Sequence, residues 1–299
     1  MTLLHVDRLT KQFGNALAVD ALSFELKEHT ATALIGPNGA GKTTTLSMLA
    51  GLLSATDGSI KFQKSDRRDV RSLIGFLPQA PKFYPWLSAL EFTEMAARIS
   101  GMEARHAKQE AKKTLEFVGM AEAMTKKTAT FSGGMKQRLG LAQAIVHKPK
   151  LLLLDEPVAA LDPVGRRQVM TLLKEIQQQT TILYSTHILN DAEEMTDQLL
   201  FLRQGKLVEQ GTLDGVREKY AEPKIVIEFD QIEGARLFKE SAPWSMTIEG
   251  RKAWLDLSDQ AVHMNDIFSS LSAKTYNVRK VERQTASLEE IFMKVVLDS

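Results

Sequence analysis

The chain has 299 residues, 43% apolar and 25% charged, the composition of a soluble globular protein long enough for one large or two ordinary domains. Its formal net charge of +1 provides no global basic field, which argues against a nucleic-acid partner; the absence of cysteine excludes disulfides and thiolate metal sites and fits a reducing compartment. No stretch approaches the roughly 20 apolar residues of a membrane span, and Met1–Asp7 lacks a secretory layout, so the chain is not expected to cross a bilayer by itself.

Val19–Leu26 largely alternates apolar and polar residues, as a half-buried strand does, and Ala31–Ile35 is a short apolar run suited to a buried strand. Directly after it stands Gly36-Pro37-Asn38-Gly39-Ala40-Gly41-Lys42-Thr43, followed by Thr44. Glycines at these spacings let successive backbone N–H groups face inward, and the helix that follows adds its positive end, so the segment reads as a phosphate-binding loop. Lys42 is placed to reach the β and γ phosphates of a nucleoside triphosphate, and Thr43 to offer a hydroxyl to Mg²⁺.

From Ser88 the period changes. Ser88 and Glu91 form a capping box, and helical patterns run through Ile99, from Glu103 to Val118 and from Gly133 to Val146, which makes a helical insert in mid-chain. Ahead of it, Ala80–Leu87 is unusually aromatic, fitting either a docking groove for a short partner helix or a local core. Leu151–Leu154 and Thr180–Tyr184 are apolar runs separated by a helical pattern from Pro163 to Gln178, the spacing of a βαβ unit in a parallel sheet. The first run ends in Asp155-Glu156, two carboxylates at the C-terminal end of a buried strand, where ligands meet an open α/β sheet. Asp155 suits Mg²⁺, directly or through water, and Glu156 suits polarisation of a water that attacks the γ phosphate.

A polar, proline-containing stretch at Tyr220-Ala221-Glu222-Pro223 ends this pattern. Beyond it, strands are expected at Lys224–Phe229, Ser245–Ile248, Lys252–Leu257 and Tyr276–Val281, with helices at Gly234–Lys239, Ala261–Leu271 and Ser287–Val296. That order suggests a split-βαβ sandwich with a terminal helix.

Three further motifs narrow the class: Phe131-Ser132-Gly133-Gly134-Met135-Lys136-Gln137-Arg138, Gly75-Phe76-Leu77-Pro78-Gln79, and Tyr184-Ser185-Thr186-His187. Together with the phosphate loop and the acidic pair, their order and spacing resemble an ABC ATPase over about residues 3–216. The resemblance implies an α/β P-loop NTPase fold: a RecA-like parallel sheet core with an antiparallel β subdomain and a helical subdomain at about 85–150, spanning residues 1–220. A small α+β accessory domain is expected at 221–299, and its closing Ser287-Leu288-Glu289-Glu290-Ile291-Phe292 looks like the extension on ATPases of drug, peptide or ion exporters.

By that resemblance ATP and Mg²⁺ are the ligands. His187 contacts the γ phosphate and holds the attacking water with Glu156, Gln79 reaches the metal and the water, and Phe13 stacks on adenine. Ser132-Gly133-Gly134 forms a second anion site that closes over ATP held by another protomer, and Asp162 lies in a loop that crosses the dimer interface. The expected partners are integral membrane permease subunits on separate chains and a second copy or a related ATPase, at the cytoplasmic face of the cell membrane. The competing reading is a soluble ABC ATPase in a non-transport complex. The chain departs from the family pattern at Phe131 and Met135, neither of which supplies the phosphate donors, at Ala159, where the family often has a small hydroxyl residue whose loss would loosen communication between the two sites, and at His29, which stands in a turn where glycine is usual.

Overall fold

In the computed structural model, which describes residues 1–63, 70–159, 161–221, 224–257, 262–274, 276–284 and 286–297, the N-terminal alternation becomes an antiparallel sheet. Glu222, Pro223 and Ala261, all included in the sequence reading, lie outside the described residues. Strands β1 (Thr2–Phe13) and β2 (Ala16–Lys27) form the sheet with β4 (Asp57–Phe62), in the order β2-β1-β4. The buried residues of β2 are Val19, Leu22, Phe24 and Leu26, so the inward parity switches once. Ala21 takes a φ of 49° at that switch, and the register slips between Leu9 opposite Leu22 and Lys11 opposite Val19, as at a β-bulge.

After β3 (Ala31–Ile35) come α1 (Lys42–Leu49), β4 (Asp57–Phe62), β5 (Ile74–Leu77) and the helices α2 (Ala89–Ile99), α3 (Ala104–Phe117) and α4 (Gly133–Ile145). The chain then alternates through β6 (Leu151–Asp155), α5 (Pro163–Gln177), β7 (Thr181–Thr186), α6 (Leu189–Met195), β8 (Gln198–Arg203) and β9 (Lys206–Thr212). Six strands make one sheet in the order β5-β6-β7-β3-β8-β9, parallel except for the β8–β9 pair. Every residue of β3, β6 and β7 is buried, which explains why these strands read as continuous apolar runs. Leu34, Leu46, Leu153 and Leu183 join Leu4, Val6 and Leu22 in one core that binds the two sheets.

The helical insert starts as its sequence requires. Ser88 Oγ accepts the Glu91 N–H at 3.2 Å and the Glu91 carboxylate accepts the Ser88 N–H at 2.7 Å. The Ser88 N–H, the Ser88 hydroxyl, which donates to the same carboxylate at 2.7 Å, and Lys127 draw the Glu91 carboxyl down to about 2. Helix α3 buries Ala107, Ala111 and Leu115, four residues apart, one apolar stripe on an otherwise charged helix. At the turn before β3, His29 has φ 57°, so the conformation that favours glycine is kept there by a histidine whose N–H donates to Thr181 Oγ1.

The chain divides into two units, Met1–Leu213 with residues 292–297, and Asp214–Ile291. The division falls at the start of helix α7 (Leu213–Tyr220), ahead of the boundary read after Tyr220. The second unit contains β10 (Lys224–Phe229), α8 (Ile232–Ser241), β11 (Thr247–Glu249), β12 (Lys252–Asp256), α9 (Met264–Ser272) and β13 (Val278–Arg283), in an antiparallel sheet of order β11-β12-β10-β13. This is a split-βαβ sandwich. Ile225, Ile227 and Phe229 of β10 pack with Phe238 and Ile267, and the rings of Phe229, Phe238 and Tyr276 contact one another at centroid distances of 5.4–6.4 Å. The terminal helix α10 (Leu288–Phe292) passes into a π-helical turn at Met293–Leu297 that packs on β8 and β9, within the first unit.

Candidate active site

The phosphate loop joins β3 to α1 and leans on β8. A Cβ at Gly36 would stand 2.4 Å from the Leu202 carbonyl oxygen, so only glycine allows that approach. Gly41, the N-cap of α1, has φ 100°, and a Cβ there would meet the Ala18 carbonyl oxygen at 2.6 Å. No side chain caps α1, so the amides of its first turn are presented by backbone shape alone. The loop borders a cleft of about 360 Å³ lined by Ala18, Asn38–Thr44, Gln79 and Glu156.

Lys42 is buried, 6% exposed, and its Nζ donates to the carbonyl oxygens of Gly36 at 2.7 Å and Pro37 at 3.1 Å. Burial pushes its pKa down, while the Glu156 and Asp155 carboxylates oppose that shift. Thr43, the next residue of α1, is exposed, and Thr44 half-buried.

At the end of β6, Asp155 is buried and accepts a hydrogen bond from Ser185 Oγ at 2.6 Å. The same Ser185 Oγ accepts the Glu156 N–H at 2.9 Å, so one hydroxyl on β7 fixes both acidic positions. Glu156 has φ 48°, a left-handed conformation that turns its side chain off the strand axis. Its carboxylate takes a bond from Gln79 Nε2 at 3.1 Å on Oε2, and His187 Nδ1 lies 3.1 Å from Oε1. Lys42, Gln79, Asp155, Glu156 and His187 are thus brought to one place by four different strand ends. The oxygen donors of Thr43, Gln79 and Asp155 suit a hard divalent cation. Among the described residues no cluster of three or more His, Asp or Glu side chains forms a ready-made metal cage, so such a cation would draw its other ligands from phosphate and water.

Other residues singled out in the sequence stand away from this cleft. Ser132 is the N-cap of α4, its Oγ accepting the Met135 N–H at 3.3 Å, with Gly133 and Gly134 in the first turn. Asp162 caps α5 through the Gly165 N–H at 2.6 Å. Phe13 ends β1 half-exposed, with Lys11 Nζ 5.1 Å from its ring centre. In the aromatic segment Phe83 packs edge-on against Phe92 of α2 at 5.0 Å, whereas Tyr84 and Trp86 remain exposed. Sequence reasoning passed over Ser185 and Gln137. The latter is buried in α4 and donates to the Pro157 carbonyl at 2.6 Å, tying the Ser132 helix to the acidic turn.

Two family models match the chain, "ABC transporter" over residues 19–159 and "ATP-binding protein DrrA1-3-like, C-terminal domain" over residues 211–296. A relative in Bacillus subtilis, the uncharacterized ABC transporter ATP-binding protein YxlF, is 42% identical, with 98% of this chain and 99% of the relative covered. The chain belongs to the ABC transporter ATP-binding proteins. As an ABC ATP-binding subunit it is an ATPase. It is also similar to the bacitracin transport ATP-binding protein BcrA of Bacillus licheniformis, at 32% identity over 99% of this chain and 97% of that protein. Among solved structures, the dimeric cassette MJ0796, a bacterial ABC transporter cassette, superposes with a TM-score of 0.64 at 26% identity, covering 71% of this chain and 99% of that one. The first family match ends at residue 159, short of Asp162, Ser185 and His187.

Proposed function

We propose that this ABC ATPase powers an exporter, with Glu156 as the residue that activates water for attack on the γ phosphate. The observation that carries the reading is the setting of Glu156. It borders the phosphate-loop cleft, and its two carboxylate oxygens are engaged by different groups, Gln79 and His187. Lys42 would leave its loop carbonyls to hold the β and γ phosphates. His187 and Gln79 would orient the water, and Phe13, half-exposed at the hairpin end, would offer its face to adenine. Thr43, Gln79 and Asp155 would hold Mg²⁺, which supplies charge neutralisation at the phosphates.

Ser132, Gly133, Gly134 and Asp162 do not line the cleft, which supports a composite site. Two copies, or this chain and a related ATPase, would pair head to tail, each laying its Ser132 helix over the ATP of the other. ABC ATPases act with membrane permease subunits, and no helix among the described residues is long and apolar enough to cross a membrane. The chain would therefore sit at the cytoplasmic face of the membrane through those subunits, docked at the exposed Tyr84 and Trp86. Export is supported by the bacitracin transport relative and by a second relative whose name is linearmycin resistance ATP-binding protein LnrL, from Bacillus subtilis.

The test is turnover and assembly of the Glu156→Gln variant. ATP hydrolysis should fall at least about 100-fold, and the variant should elute as an ATP-dependent dimer. Unchanged turnover would remove Glu156 from its role, and a monomer under saturating ATP would remove the composite site.

A further inference from the structure

His187 is followed after one residue by α6, and three polar contacts tie α5 to α6 and to Asp197 just beyond it. Two lie at the surface: Lys174 Nζ to Glu194 Oε1 at 3.3 Å, and Gln177 Nε2 to Asp197 Oδ2 at 2.6 Å. Exposed contacts of this type contribute little to holding two helices in one position. The third is different in kind. Arg166 Nη1 stands 3.8 Å from Asp191 Oδ1, and Asp191 is only 5% exposed. Asp191 Oδ2 and Arg166 Nε are also buried and have no hydrogen-bond partner, so the Asp191 carboxylate depends on Arg166, whose side chain is about one-third exposed. Burial pushes the Asp191 carboxyl up, and Arg166, followed more weakly by His187, acts against that shift.

Both residues occupy mechanically useful places. Arg166 lies one turn into α5, its N–H bonded to the Asp162 carbonyl at 2.9 Å, so it reports where the Asp162 end of the helix sits. Asp191 opens α6, and its carbonyl accepts from Tyr184 Oη at 3.4 Å, which hangs the first turn of α6 from β7, the strand that delivers His187. We infer that Arg166 and Asp191 are positioning residues that couple the Asp162 end of α5 to the His187 loop. His187 then meets Glu156 in register only while α5 is in place. The inference rests on the reading that Glu156 and His187 serve hydrolysis.

The test uses the full chain and radiolabelled ATP, with kcat and KM measured separately. Asp191→Asn and Arg166→Met should each lower kcat about tenfold at unchanged KM, the size expected of a slightly misplaced group. The double variant should lose no more than the larger single loss. Arg166→Lys, at a partly exposed site that will fold, should recover part of the rate, and it carries the test if Asp191→Asn does not fold. In a His187→Ala background, adding Asp191→Asn or Arg166→Met should change nothing further. A full tenfold loss in that background, or a raised KM with kcat kept, overturns the coupling while leaving the hydrolytic reading intact. Wild-type turnover by His187→Ala alone overturns the hydrolytic reading, and the coupling falls with it.

Discussion

Two helices of this ATPase start on glycine-containing turns, α1 after the phosphate loop and α4 after Ser132, and the two starts are built differently. Helix α1 begins on Gly41 at φ 100° with no side-chain cap, and Lys42 lies back on the loop carbonyls. Helix α4 begins on Ser132 in an extended conformation, and the serine hydroxyl is engaged by the Met135 N–H of its own helix. The first start needs a backbone that L side chains rarely adopt, so it is specialised and locally fixed. The second is an ordinary N-cap that would be stable in any helix, and its fitness for phosphate depends on what is brought to it.

Three substitutions probe the contrast, in falling order of effect. Gly41→Ala places a Cβ 2.6 Å from the Ala18 carbonyl in a left-handed conformation and should cost on the order of 3 kcal/mol, with loss of ATP binding. Thermal denaturation and titration with a fluorescent ATP analogue would show both. A protein that keeps its melting temperature would contradict the assigned conformation.

Lys42→Met should reduce turnover at least about 100-fold while raising the melting temperature of the nucleotide-free protein. The sign follows from burial: the folded state binds the Lys42 proton less tightly than the unfolded state does, so burial of the charge opposes folding at neutral pH. That opposition is relieved as pH rises through the depressed folded pKa toward 10.5, the ordinary lysine value. The stability gap between variant and wild type should therefore narrow in alkaline buffer, and a constant gap would refute the explanation.

Ser132→Ala is the mildest. It should cost about 1 kcal/mol of stability through the lost cap and leave ATP binding by α1 unchanged. If turnover falls by more than that small loss of stability explains, the Ser132 hydroxyl also serves a phosphate. If ATP binding by the isolated chain weakens as well, the two starts share one nucleotide within a single copy.

What the sequence disclosed follows the same division between local and assembled features. The phosphate loop and the Ser88–Glu91 capping box were legible because each is specified within a few residues by glycine placement or by one reciprocal pair. The split-βαβ order was legible from apolar alternation, although β11 and β13 sit about two residues later than read. Strand β1 escaped notice because its register slips three times between Val6 and Gln12, which breaks the period of two. Helix α6, seven residues long and without a side-chain cap, has too little length to show a helical period. Ser185, Gln137 and Arg166 could not be selected in advance, because their partners lie 20 to 30 residues away and meet them only after the sheet has formed.

The backbone at Glu156 has one practical outcome. A glutamate at φ 48° is held there by the bond from its N–H to Ser185 Oγ and by the engagement of its carboxylate, against a local preference of about 1–2 kcal/mol. Glycine or asparagine would accept that bend more readily. A laboratory search that rewarded heat resistance alone would therefore be drawn toward this position, as toward Lys42, where comfort of the fold opposes the proposed consumption of ATP, and its hardiest survivors would be inert.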